Sequence, residues 1–259
     1  MIQPSLILAY HGIGTVPRGY DPHNLMTPPG QFRSQVERLV ARGYEFVKMS
    51  ELACRLHSSV ALQGVCALTF DDGSADNAGV LPALLAALGV PGTVFVCPSL
   101  LGKANPFLAP ESGARLMTAD EVRAISGLPF IEVGSHTNDH RDLSSATADE
   151  AYREMTASKQ ALERLLDQPV RSFAYPFGHY SPACPAAAER AGYTSAVTEA
   201  GCGSWRPYEL RRQSVNPLDG RLTFALKSRG VFYPLLRTPL GRLAAWVARP
   251  FRHPPDRSS

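Results

Sequence analysis

Leu68-Thr69-Phe70-Asp71-Asp72-Gly73 closes a mostly apolar run that begins at Val65. A run this short, stopped by a glycine, reads as a buried strand ending in a turn. Two carboxylates then stand side by side where a strand stops, which is where α/β proteins place their chemistry. Neighbouring strand residues point to opposite faces, so two adjacent aspartates are expected to do different work. Asp-Asp-Gly is also good turn chemistry, and the stretch taken alone fits a plain strand-to-loop connection equally well.

A second stretch shifts that balance. Ile131-Glu132-Val133-Gly134 looks like another short strand, and it runs into Ser135-His136-Thr137-Asn138-Asp139-His140. Histidines four apart share one face if the turn is helical, so both imidazoles can reach one cation. Two imidazoles and one carboxylate suit a divalent zinc-type ion with a position left for water. A third stretch, Arg171-Ser172-Phe173-Ala174-Tyr175-Pro176-Phe177-Gly178, again reads as a strand ending in Pro and Gly.

Around these stretches strands and helices alternate. Ser5 to Tyr10 reads as a first strand that delivers His11, and the Pro- and Gly-rich loop from Gly14 to Gly30 is long enough to cover a site. Helices are expected over Pro29 to Arg42, after a Ser50 cap, over Asp76 to Leu88 with Gly89 closing it, after Thr118, and over Thr147 to Leu166. Strands are expected over Tyr44 to Lys48 and Gly92 to Val96. About seven strand-helix repeats predict parallel strands. With functional groups at successive strand ends, a distorted (β/α) barrel fits better than an open doubly wound sheet. No Gly-x-Gly-x-x-Gly or P-loop is present to suggest a nucleotide.

Thr69-Phe70-Asp71-Asp72-Gly73, His136-Thr137-Asn138-Asp139-His140 and Phe173-Ala174-Tyr175-Pro176-Phe177-Gly178 together resemble the first three motifs of the polysaccharide deacetylases, the NodB homology domain of carbohydrate esterase family 4. The order agrees, and the resemblance spans roughly residues 5 to 215. It implies a distorted (β/α)7 barrel and a metal-dependent hydrolase that removes N-acetyl groups from an amino-sugar glycan or its precursor. It implies Asp72, His136 and His140 as metal ligands, with zinc foremost and cobalt, nickel or iron also compatible. Asp71 matches the general base, and the Phe177 backbone N–H matches the oxyanion donor. Tyr10-His11 resembles the start of a circularly shifted branch, in which an N-terminal histidine serves as the general acid. His11 takes that place here, because no late Leu-x-Leu-x-His motif is found.

The chain also departs from the family pattern. Ala174 stands where many members carry an arginine that orients the base, and Arg171 lies three residues too early. Arg212, in Leu210-Arg211-Arg212-Gln213-Ser214-Val215, resembles a late Leu-Pro-Arg strand of the shifted branch and is the candidate substitute. His179 reads as lining the pocket or facing solvent, Tyr175 and Tyr180 as stacking on a sugar or packing in the core. His23, His57 and His253 read as surface histidines.

The 259 residues, 44% hydrophobic and 19% charged, fit one soluble globular domain with an appendage. Five cysteines without a Cys-x-x-Cys pair suggest free thiols in a reducing compartment. No basic residue precedes the short apolar stretch after Met1, so no cleavable signal is expected, and the location is expected to be cytoplasmic, at the inner membrane face if anywhere.

The expected division is a catalytic barrel over 1–220 and a basic, partly apolar extension over 221–259. The extension holds eight lysines or arginines against Asp256 alone, a charge of +7, whereas the preceding residues carry 18 basic and 22 acidic groups, or −4. Residues 241–252 suit a basic amphipathic helix on an anionic membrane, and a packed terminal extension is the plain alternative. Nucleic acid is not expected as a partner. Two other functions remain open on the same residues. One is hydrolysis of small non-sugar amides, and the other is a non-catalytic carbohydrate-binding role, favoured by Ala174.

Overall fold

In the computed structural model, residues 3–17, 19–199, 205–232 and 235 are described. In chain order the strands are β1 (Leu6–Tyr10), β2 (Gly12–Ile13), β3 (Met26–Thr27), β4 (Glu45–Val47), β5 (Val65–Phe70), β6 (Gly92–Val96), β7 (Ile131–Ser135), β8 (Ser172–Ala174), β9 (Ser195–Thr198), β10 (Leu210–Arg211) and β11 (Gln213–Ser214). Interleaved with them are helices α1 (Pro29–Ala41), α2 (Met49–His57), α3 (Ala75–Leu88), α4 (Ala119–Ser126), α5 (Ala148–Leu166), α6 (Cys184–Arg190) and α7 (Arg221–Lys227).

The main sheet runs β10-β9-β8-β7-β6-β5-β1-β11, and every pairing in it is parallel. Its two ends are successive pieces of one segment. Leu210 pairs with Val197 of β9, and after Arg212 the chain pairs Gln213 with Leu8 of β1. Residues 210–214 therefore bridge the two edges, giving a nearly closed seven-position barrel and leaving few edge groups unpaired. The expected (β/α)7 barrel is what forms. β4 is the irregularity, wedged beside the start of β5.

Side-chain alternation sorts each strand between two cores. Leu6, Leu8 and Tyr10 of β1 and Cys66, Leu68 and Phe70 of β5 face the helices, where Phe32, Val36 and Leu39 of α1 and Leu81 and Leu85 of α3 cover them. Ile7, Ala67, Phe95, Ala174, Val197 and Leu210 fill the barrel interior, and Met49 and Leu52 of α2 close it. Tyr10, Phe32 and Phe70 lock the outer layer, with ring centroids 5.2 to 5.8 Å apart.

Most helix ends form where the sequence places them. Thr118 and Thr147 cap α4 and α5 in reciprocal boxes with Glu121 and Glu150, and Gly89 ends α3 at φ 65°. Ser50, in contrast, is not a cap: α2 starts at Met49 with Lys48 as its N-cap. Glu51 accepts from Lys48 N–H at 3.0 Å, and Ser50 N–H turns to Glu132 at 2.9 Å. On the core-facing side of α5, Met155 and Leu162 are buried, while Tyr152, Leu165 and Leu166 are half-buried. Cys54 is an exposed free thiol and Cys66, Cys97 and Cys184 are buried ones, whereas Cys202 lies outside the described residues. Most of the basic extension, including 241–252 and His253, also lies outside them. Its first helix, α7, packs Phe224 into the outer core.

Candidate active site

The ends of β1, β5, β7, β8, β9 and β11 open at one rim of the barrel, and a cavity of about 380 Å³ lies there. His11, Asp71, Asp72, His136, His140 and Phe177 all line it. Arg212 lies behind the wall, fully buried.

Asp71 and Asp72 do separate, though not by strand alternation. β5 stops at Phe70, and Asp72 takes a left-handed φ of 65°. That reversal aims Asp71 into the barrel and Asp72 towards the β7 loop. Asp71 accepts two hydrogen bonds from Arg212, Nη1 to Oδ1 and Nη2 to Oδ2, each 2.7 Å. Arg212 also donates to Thr69 Oγ1 at 3.1 Å, and its guanidinium lies 5.8 Å from the Phe95 ring centroid. Ala174, which stands where the family resemblance leads one to expect an arginine, packs as a small apolar group in the same interior cluster as Phe95. Burial pushes the Asp71 carboxyl up, but the Arg212 and His136 charges outweigh it and hold the group below the usual carboxylate range.

Asp72 faces two imidazoles. Its Oδ1 lies 3.5 Å from His136 Nε2 and 3.2 Å from His140 Nε2. The 136–140 stretch is a turn rather than the helix that the four-residue spacing suggests. Thr137 and His140 both have left-handed φ values, 61° and 65°. The two rings converge because α5 shapes this loop. Ser158 Oγ donates to the Thr137 carbonyl at 2.9 Å, and Glu154 accepts from Asn138 N–H at 2.6 Å. The Ala174 carbonyl can only accept, so His136 Nδ1 donates to it at 2.8 Å and Nε2 is left to face the cavity. His140 is held between Phe107 and Phe177, with both ring centroids 4.6 Å away.

These three residues fit a divalent cation. Asp72 Oδ1 is buried and makes no hydrogen bond, although two imidazole nitrogens face it. One ligand atom from each of Asp72, His136 and His140 falls within 4.8 Å of the others, the oxygen-and-imidazole set that zinc-type ions take. Burial opposes charge on Asp72, yet the two imidazoles hold its carboxyl far below the usual range. His136 is raised by Asp72 and Asp71 against the opposing effect of burial.

Left-handed non-glycine residues gather at this rim: Asp72, Thr137, His140 and Phe177 at φ 58°. Backbone strain of this kind persists where the surroundings enforce it and concentrates at functional sites. Phe177 follows Pro176 at the end of β8 and is 55% exposed, with its N–H on the rim segment.

His11, Asp71 and Glu199 form a second convergence, again with one polar atom of each within 4.8 Å. Glu199 was not singled out by the sequence. It is one glutamate just beyond β9, and no motif marks it. Ser214 Oγ donates to Glu199 at 2.6 Å and fixes it beside Gly178, where a Cβ would fall 2.6 Å from the Glu199 Cβ. His23, read as a surface residue, is exposed and also lines the cavity, because the loop after β1 folds over the rim. Asp21 holds that loop by accepting from Leu25 and Met26 N–H, each at 2.8 Å. Tyr175 belongs to the core: it is fully buried and stacked 4.7 Å from Tyr180. His179 faces solvent and donates to Asp142 at 3.0 Å, and exposed His57 meets the Thr194 carbonyl.

The polysaccharide deacetylase family model matches residues 60–196. YxkH of Bacillus subtilis (strain 168), assigned by name to the polysaccharide deacetylases, is 28% identical over 215 residues, 82% of this chain and 71% of that protein. The fold resembles Streptococcus pyogenes deacetylase PplD, solved in complex with acetate, at a TM-score of 0.73 and 25% identity, covering 88% of this chain and 98% of that one. It also resembles a de-N-acetylase from Aggregatibacter actinomycetemcomitans at a TM-score of 0.69 and 18% identity, covering 85% and 98%.

Proposed function

This chain belongs to the polysaccharide deacetylase family, and from that premise we propose that it is a metal-dependent hydrolase removing N-acetyl groups from an amino-sugar glycan or glycan precursor. The observation that carries the proposal is the pairing of two differently wired carboxylates. Asp72 faces two imidazoles with an unbonded oxygen, while Asp71 is clamped by a buried arginine on the other side of the same turn.

Asp72, His136 and His140 would hold the cation. When bound, it supplies Lewis-acid polarisation of the amide carbonyl and acidifies the attacking water. Asp71 serves as the base. The arginine keeps it ionised and fixes its orientation, so it accepts the water's proton without turning away. The Phe177 N–H stabilises the negative charge that develops on the carbonyl oxygen. His11, whose ring converges with Asp71 and Glu199 within 4.8 Å, would return a proton to the leaving amine. The placement of His11 at the end of the first strand suits the circularly shifted branch. Phe107 and Phe177 give the cavity apolar faces against which a pyranose ring packs.

The test compares amide classes. Acetate release is assayed on N-acetylglucosamine oligomers and on lipid- or nucleotide-linked N-acetyl sugars, beside hydrolysis of cyclic ureides and formamides. Turnover confined to the sugars is the expected result. Turnover confined to the small amides would replace the proposed substrate class, and turnover of neither would leave a carbohydrate-binding role.

A further inference from the structure

Large exposed apolar side chains collect in the last described stretch. Leu218, Leu222, Val231 and Leu235 are 53%, 75%, 43% and 46% exposed. Leu226 follows Leu222 by one turn on the same face of α7, and Val231 N–H donates to the Leu226 carbonyl, so these positions succeed one another down one flank, from Asp219 beside Gln31 at the start of α1 to Ser228 beside Arg42 past its end. Scattered single apolar residues need no explanation, but a run bordered by charge of one sign does. Arg221 and Arg229 are exposed within the stretch, and Arg38 of α1 lines the adjoining groove with Leu218 and Arg221. The nearby acidic group, Asp219, is buried and bonded to Lys227, so it does not offset them at the surface. Beyond Leu235 the sequence adds five arginines against Asp256 and continues the apolar pattern with Leu240, Leu243, Trp246 and Phe251.

We propose that the flank of the molecule built by residues 218–232, together with Leu235, is a docking surface for an anionic lipid bilayer. Exposed leucines would enter the headgroup boundary while the arginines meet lipid phosphates, a division of labour that favours anionic over neutral membranes. The surface is continuous with the active-site rim. Asn216, which lines the cavity, lies two residues before Leu218. Gln31 Nε2 donates to the Pro217 and Asp219 carbonyls at 3.3 and 3.2 Å, and Lys227 donates to the Ser214 carbonyl at 2.6 Å. The start of the surface and the cavity wall are therefore one braced unit, so docking would hold the cavity in a fixed position relative to the bilayer. No helix among the described residues is long and apolar enough to cross a membrane. Bilayer contact is independent of catalysis, whereas delivery of a lipid-linked sugar to the cavity rests on the proposed deacetylase activity.

Flotation of the full chain with vesicles tests the surface without using turnover. Vesicles of phosphatidylcholine with phosphatidylglycerol should carry the protein up the gradient, vesicles of phosphatidylcholine alone should not, and added salt should release it. Arg221→Gln with Arg229→Gln should lower partitioning about 25-fold, about fivefold per arginine. Leu218→Asp with Leu222→Asp should abolish it, with an unchanged thermal midpoint showing that the variant is folded. Equal flotation with neutral vesicles, or full anionic binding by both variants, would overturn the assignment. So would absence of vesicle binding, whether or not the surface proved to join two copies of the chain.

Discussion

Arg212 donates to both carboxylate oxygens of Asp71 in the barrel interior, where no side-chain atom of the arginine meets solvent. A buried ion pair adds little net stability, but removing one partner strands the other charge at a cost of about 3–5 kcal/mol. Arg212→Met should therefore destabilise the protein by about that amount and lower turnover with it. Arg212→Lys keeps the charge but loses the planar fork, so it should lower kcat more than it lowers stability. Asp71→Asn should reduce kcat by at least about 100-fold, with bound metal unchanged by elemental analysis. Unchanged turnover would remove Asp71 from the role of base. This arginine was legible only because the Leu210–Val215 stretch resembles a family strand, since an arginine three residues before a valine carries no signal of its own. Glu199 was not legible: its relation to His11 arises because residues 210–214 bridge β9 to β1, which brings together residues far apart in the chain.

At the scale of elements, the strand of the histidine motif is shaped by a packing demand. A Cβ on Gly134 would lie 2.5 Å from the Phe95 ring and 2.9 Å from the Ser172 carbonyl. Gly134→Ala should cost about 1–3 kcal/mol by overpacking, lowering the thermal midpoint. It should also weaken metal binding, because His136 follows two residues later on the same strand end. An unchanged midpoint and metal affinity would show that Phe95 gives way freely. Strands and helices were largely legible, because periodicity, capping boxes and Gly89 are local signals. The route by which His136 and His140 meet was not. Their spacing suggested a helical turn, whereas Thr137 and His140 adopt left-handed backbone under bonds from α5, a long-range influence that no local pattern reports.

At the scale of the whole molecule, paired carboxylates set the response to acid. The Arg115 side chain, bonding to Glu121, holds its carboxyl down to about 2, and His179 does the same for Asp142, also to about 2. The native state thus binds fewer protons than the unfolded chain in this range. The stabilisation is complete above the usual carboxylate values near 4 and is lost as pH falls through them towards 2. Buried Asp71 adds in the same direction. The thermal midpoint should be level around neutrality and fall across that acidic window, and Glu121→Gln should flatten the fall slightly, since the pair is partly exposed and screened. The nearly closed barrel was legible from functional groups at successive strand ends and from the family resemblance, but its closing device was not, because β10 and β11 are two residues each and Arg212 between them interrupts the ladder.

Acetate release by metal-stripped protein tests the central claim most directly. N-acetylglucosamine oligomers and lipid-linked N-acetyl sugars are offered before and after zinc or cobalt is restored. The account predicts no release from the stripped protein and recovery on adding the ion, with His136→Ala failing to recover. Undiminished release by the stripped protein would contradict it.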